Sequence, residues 1–199
     1  DPMKKNSATG KYVKPFTTLE VKRIKAELTS KPNKRNYCLF VMAINQGIRS
    51  TDLLKIRIRD VENLPIGEKF FFKEGKTGKQ NFVFMNKNTY DAVHLYMESL
   101  SSYGPDDYLF CSRSGNNAIT LQQFGRLIKD WCSYARIKEP AEYGIRSLRK
   151  TFGRLEFESS GNSNVVTLLK ERFNHSSEST TIKYLNITTA DMEMIFSDK

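Results

Sequence analysis

One interruption in an otherwise helical pattern constrains this chain more than any other feature. Two aromatic, β-prone runs, Lys69-Phe-Phe-Phe-Lys73 and Gln80-Asn-Phe-Val-Phe-Met85, flank the connector Glu74-Gly-Lys-Thr-Gly-Lys79. Phe and Val fit a pleated, half-buried surface, and the two glycines tolerate the positive φ of a tight reversal, so the segment predicts a β-hairpin. Elsewhere the apolar residues recur at helical spacing. Thr17-x-x-Glu20 is a capping box opening a helix to about Leu28, which Lys31-Pro32-Asn33 breaks. Tyr37, Phe40, Val41 and Ile44 form one apolar face of a second helix that stops at Gly47, after which Ser50 or Thr51 caps a short one. Asn88 is the expected cap of a helix with Val93, Tyr96, Met97 and Leu100 on one face. Thr120-x-x-Gln123 opens another, carrying Phe124, Leu127, Ile128 and Trp131. Helices follow over Leu148 to Phe157, Val165 to Phe173 and Ser176 to Tyr184, with a last apolar group at Met192, Ile195 and Phe196. The pattern predicts a mainly α chain with a small antiparallel β-sheet, an α+β domain over residues 15–199. The polar, basic, aperiodic residues 1–14 read as a flexible linker or tail.

Charge and composition narrow the function classes. A chain of 199 residues with 39% hydrophobic residues can bury one ordinary core. Lys and Arg number 32 against 22 Asp and Glu, a balance of +10, which favours a polyanionic partner, nucleic acid before a membrane surface. The longest apolar stretch, Tyr37 to Ile44, is far short of the roughly 20 residues that cross a bilayer. No signal-peptide pattern opens the chain, so the expectation is a cytoplasmic protein without membrane contact. Cys38, Cys111 and Cys132 are scattered, which argues for a reducing compartment and against a disulfide framework or zinc ribbon. His94 and His175 lie too far apart in sequence to suggest a metal site, and neither a metal nor a cofactor is expected. Gly75-Lys-Thr77 lacks the earlier glycine and the strand-then-helix context of a phosphate-binding loop.

Taken singly, the candidate residues are unremarkable. Arg49 and Asp52 make an ordinary surface pair, Lys76 a solvated hairpin lysine, and Arg146 with Arg149 a basic helix stripe. His175 is a structural histidine by default, and Tyr184 an amphipathic tyrosine near a helix end. Together they are the parts for cleaving a phosphodiester without metal. The arginines hold phosphate oxygens with bidentate hydrogen bonds, the lysine protonates a departing oxygen, the histidine adds a hydrogen bond, and the tyrosine attacks.

The order of these boxes resembles the catalytic domain of the tyrosine recombinases, the phage integrase family, from about Phe16 to Ile187. Gln46-Gly-Ile-Arg49-Ser-Thr-Asp52-Leu-Leu54 resembles the first arginine box, and Arg146-Ser-Leu-Arg149-Lys-Thr-Phe-Gly153 the second. Lys76 matches the family's lysine between two strands, with Lys79 as the fallback if the hairpin register shifts. Asn174-His175-Ser-Ser177 resembles the family's Gly-His box, and Tyr184 stands nine residues beyond His175, at the nucleophile's spacing.

The resemblance implies that Tyr184 attacks a scissile phosphate to give a 3′-phosphotyrosyl enzyme and a free 5′-hydroxyl. Arg49, Arg149, His175 and Arg146 would hold the phosphate, Lys76 would protonate the leaving 5′-oxygen, and Asp52 would orient Arg49 or its surroundings. It further implies double-stranded DNA attachment sites as partners and a homo-tetramer on DNA, with residues 185–199 packing either in trans or at home. Three departures stand out. Arg146 occupies a position that is commonly histidine, Asn174 replaces the usual glycine, and residues 1–14 resemble the stub of a linker to an N-terminal DNA-binding domain. A catalytically silent DNA-binding relative and a type IB topoisomerase-like relaxation are the alternatives.

Overall fold

The computed structural model describes residues 12–113 and 115–197 of the chain. Helix α1 (Thr18–Ser30) starts where the sequence places it. The Thr17 hydroxyl accepts from Glu20 N–H while the Glu20 carboxylate takes the Thr17 N–H. Helix α2 (Lys34–Gln46) ends at Gly47, whose φ of +61° is the left-handed conformation that glycine adopts freely. The expected single apolar face of α2 is an underestimate. Residues Cys38 to Ile44 are all buried, because neighbours pack around the helix on every side, and a helix so enclosed is apolar all round.

Two short helices, α3 (Ser50–Leu53) and α4 (Ile58–Val61), lead to the hairpin. Arg49, not Ser50 or Thr51, is the N-cap residue of α3, and it caps without a side-chain hydrogen bond. Strands β1 (Lys69–Lys73) and β2 (Gln80–Phe84) pair antiparallel with Phe71 opposite Phe82, forming the two-stranded sheet that the sequence predicts. Gln46 moors this sheet to the core. Its side chain accepts from Phe84 N–H and donates to Phe84 O and the Thr89 hydroxyl.

Helix α5 (Lys87–Glu98) is capped by Asn86 rather than Asn88. Strand β2 runs straight into the helix, and the Asn86 side chain is the one that reaches Thr89 N–H. Helix α6 (Leu121–Tyr134) has the expected Thr120–Gln123 capping box and buries Phe124, Ile128 and Trp131. A 3₁₀ turn at Pro140–Glu142 precedes α7 (Ile145–Ser159), α8 (Val165–Phe173), α9 (Glu178–Leu185) and α10 (Thr189–Ser197). Ser177 caps α9, so that helix begins two residues later than the sequence suggests.

The large core wraps α2 with α1, α5, α6 and the first turns of α7. A second apolar cluster, Phe157, Val165, Val166, Leu169, Phe173, Leu185 and Ile187, joins α7, α8 and α9. At the N-terminal end the described residues are anchored. Phe16 is buried and stacks on Tyr143 at 4.5 Å, and Lys150 Nζ donates to Val13 O. The rest of the predicted linker, residues 1–11, lies outside the described residues. Of the last apolar group, Met192 is exposed, and the side chains of Ile195 and Phe196 lie outside the description.

Candidate active site

Tyr184, which packs against the second cluster, lines a cleft of about 570 Å³ that is open to solvent. Arg49, Lys76, Arg146, Arg149, His175 and Tyr184 all line it, and Lys79 does not. Residues spread over 135 positions thus meet at one place, delivered by the start of α3, the hairpin turn, α7, the α8–α9 junction and the end of α9.

Arg149 is held from two sides. Its Nε donates to Gly47 O at 2.9 Å and its Nη2 to Phe173 O at 3.0 Å, so the carbonyls ending α2 and α8 aim the guanidinium. Those are helix C-terminal ends, where a cation is favoured. The guanidinium also lies 4.7 Å from the centre of the Phe173 ring. Burial lowers the pKa of Arg149 from its usual range, and the nearby charge of Arg49 adds to this. Phe173 packs in turn against His175 at 5.3 Å and Tyr184 at 5.5 Å between ring centres. One fully buried aromatic therefore sets three of the candidate residues.

After α8 the chain turns through Asn174 at φ +54°, a left-handed position that Asn tolerates better than most residues. This turn throws His175 back over the cleft. Its Nδ1 lies 2.9 Å from the buried Thr181 hydroxyl. Burial, then the charges of Arg149 and Arg49, push the imidazole pKa down to about 4, so it is neutral at physiological pH. Tyr184 sits in the last turn of α9, with its ring 5.3 Å from that of His175. Burial raises its hydroxyl above the usual tyrosine range, against the opposing pull of Arg149, Arg146 and Arg49.

Arg49 has its carboxylate partner in Glu74, at the foot of the hairpin turn, and not in Asp52. The carboxylate of Asp52 is buried and accepts instead from Gly75 N–H at 3.0 Å, leaving its second oxygen without a partner among the described residues. Glu74 itself is 2% exposed. Burial alone would raise its pKa, but hydrogen bonds from Thr77, Asn81 and Asn174 and the charge of Arg49 outweigh that and hold it below the ordinary range. Arg172 extends this network, donating to Gln46 O at 2.8 Å and to Asn81 Oδ1 at 2.9 Å. Sequence reasoning missed Glu74, Asn81 and Arg172. The one signal for Glu74 was an acidic residue in a turn otherwise flanked by Lys69, Lys73, Lys76 and Lys79. Lys150 was also passed over. It is buried, and its ammonium lies 5.2 Å from the Tyr184 ring centre and 3.9 Å from that of Tyr12. Among the described residues, no group of three or more His, Cys, Asp or Glu could hold a metal ion, and no helix is long and apolar enough to cross a membrane.

The comparisons with known proteins fit this geometry. The chain is 28% identical over 176 residues to the "Probable integrase/recombinase YoeC" of Bacillus subtilis (strain 168), a match covering 88% of this chain and 90% of that one. It is 25% identical to the tyrosine recombinase XerC of Caldanaerobacter subterraneus over 89% of this chain, but only 48% of that relative. Among solved structures, the XerA recombinase superposes with a TM-score of 0.76 at 21% identity, covering 94% of this chain and 65% of XerA. XerH bound to its palindromic difH substrate gives 0.71 at 21% identity, covering 96% and 55% respectively. The fold is thus that of tyrosine recombinase catalytic domains, and the chain spans about half the length of several relatives. With residues 14–191 matching the description of that family, the chain belongs to the phage integrase family.

Proposed function

We propose that this protein is a site-specific DNA recombinase whose Tyr184 cleaves and rejoins strands through a 3′-phosphotyrosyl intermediate. The observation that carries this reading is the convergence of Tyr184, His175, three arginines and Lys76 on one cleft. The Tyr184 Oη–phosphorus bond forms as the bond from phosphorus to the 5′-oxygen breaks. Arg49, Arg149 and Arg146 hold the non-bridging oxygens, whose negative charge grows as the phosphorus becomes five-coordinate. Lys76 protonates the leaving 5′-oxygen. The Tyr184 proton passes to His175, whose imidazole lies beside the tyrosine with ring centres 5.3 Å apart. A bound phosphate offsets Arg149 and Arg49, which relieves part of the repulsion that depresses this imidazole. Attack by a 5′-hydroxyl reverses the same steps. The phosphotyrosyl bond conserves the energy of the phosphodiester, so rejoining draws on no external energy source.

The partner in this reading is double-stranded DNA, consistent with relatives such as XerH whose structures are complexes with DNA. Pairing of duplexes calls for a tetramer on DNA. Helix α10, tied here to its own chain by Arg154 and Asp191, is the segment available for exchange between protomers.

Covalent trapping tests the chemistry. The protein and its Tyr184→Phe variant are incubated with a pooled library of nicked duplexes, denatured, and resolved for protein–DNA adducts. Adduct from the parent and none from the variant is the expected result. Adduct from both would remove Tyr184 as nucleophile, and DNA retention without adduct in either would favour a silent DNA-binding relative. Relaxation of supercoiled plasmid without exchange of ends would favour the topoisomerase-like reading.

A further inference from the structure

Lys76 is exposed, and among the described residues it makes no ion pair or hydrogen bond, so its position depends on the turn that carries it. That turn is fastened with unusual care. Glu74 N–H donates to Lys79 O and Glu74 O accepts from Gly78 N–H, each at 2.9 Å, closing the loop on itself. The Glu74 carboxylate then faces inward. Oε2 accepts from Arg49 Nη1 and from the Thr77 hydroxyl at 2.7 Å, and Oε1 accepts from Asn81 Nδ2 at 2.8 Å. A buried carboxylate with this many donors is strongly favoured where it is, and removing one partner would strand the other charge.

One oxygen therefore serves both the residue next to Lys76 and the guanidinium of Arg49. We propose that Glu74 is a positioning residue: it locks the Lys76 turn in register with Arg49, so that Lys76 meets the leaving oxygen of the phosphate that Arg49 holds. Asp52, through Gly75 N–H, braces the same turn from α3. The inference rests on the cleavage reading above and adds a residue to it. It differs from the plainer role of neutralising Arg49, because it places the consequence of losing Glu74 at proton delivery.

A sulfur in place of the bridging 5′-oxygen separates the two roles, since a thiolate leaves without a proton. Single-turnover cleavage is measured on the duplex recovered by trapping, with bridging oxygen or bridging sulfur. Glu74→Gln, which keeps the size of the side chain, is compared with Lys76→Ala and the parent protein. Thr77→Val, which removes the hydroxyl that donates to Glu74 and accepts from Lys79 N–H within the turn but leaves the Glu74–Arg49 pair intact, is the second variant. On oxygen, Glu74→Gln is expected to be slower by about tenfold or more, with DNA affinity no weaker than the parent's, since the variant removes a negative charge from beside Arg49. On sulfur it should return to within about threefold of the parent, as Lys76→Ala does. Thr77→Val should show the same rescue with a smaller defect. An equal defect on both substrates, or none on oxygen, would overturn the proposal. If the parent forms no Tyr184-dependent adduct, the cleavage reading fails by itself, and the register is read in the DNA-free protein. There, amide exchange at Gly78 and Lys79, whose N–H groups are bonded within the turn, should quicken about tenfold or more in Glu74→Gln, and unchanged exchange would overturn the proposal.

Discussion

Burial and two neighbouring guanidiniums hold the His175 imidazole at about 4, against an ordinary value of 6.5. Above pH 6.5 the imidazole is neutral in the folded and unfolded chains alike. As the pH falls, the unfolded chain takes up its proton first, while the folded chain resists until about pH 4. His175 therefore supports the fold fully above 6.5, and that support drains away between 6.5 and 4. Denaturant unfolding of the parent and His175→Gln over this window checks the sign. The parent is expected to lose more stability than the variant as the pH is lowered. Parallel curves would mean an imidazole that titrates as it does in water. The same residue illustrates how far the site was legible from sequence. His175, Tyr184, Arg49, Arg149 and Lys76 sit within short boxes that are weak singly and informative through their shared order along the chain. Glu74 and Arg172 do not, because their meaning comes from partners 25 and 126 positions away, which only the fold brings near.

At the scale of elements, the position of Tyr184 depends on how closely α9 lies against α7. Gly153 makes that approach possible. A Cβ there would sit 2.6 Å from Leu185 Cδ2 and 3.0 Å from Phe173 Cζ, both in the second apolar cluster. Gly153→Ala is expected to cost about 1–3 kcal/mol by overpacking, and to shift α9 and with it Tyr184, one residue before Leu185. Gly125 in α6 is the control. Its added methyl would meet only Ile145 Cδ1 at 4.0 Å, so Gly125→Ala should stabilise by up to about 1 kcal/mol through helix propensity. Urea titrations of the two variants should therefore move in opposite directions, with adduct formation impaired only in Gly153→Ala. Element positions themselves were mostly readable. The boxes at Thr17 and Thr120 and the glycine stop at Gly47 are local chemistry, and the hairpin is marked by its aromatic runs. The starts of α3 and α5 were misplaced because several adjacent polar residues compete to cap, and tertiary placement decides among them.

Over the whole molecule the excess of 32 basic over 22 acidic residues gains meaning only through its placement. Arg49, Lys76, Arg146 and Arg149 line one cleft, and Glu74 offsets a single one of those charges through Arg49. Such a field favours a polyanion threaded along the cleft, and each phosphate it neutralises releases counterions. DNA affinity should then fall steeply with salt, with a slope in log–log form of about −0.9 per phosphate contact. Arg146 is exposed at the start of α7, where the helix dipole already favours an anion, and it can be removed without leaving a buried charge behind. Arg146→Ala should weaken binding to all duplexes alike and reduce the slope by about one, since it loses a backbone contact that carries no sequence information. Lys87, held to Asp91 on an exposed stretch of α5 outside the cleft, provides the contrast, and Lys87→Ala should leave the slope unchanged. Filter-binding or anisotropy titrations across a salt series decide this. Equal slopes for the parent and Arg146→Ala would mean that the phosphate lies elsewhere on the basic surface, and the cleft would lose its place as the DNA path.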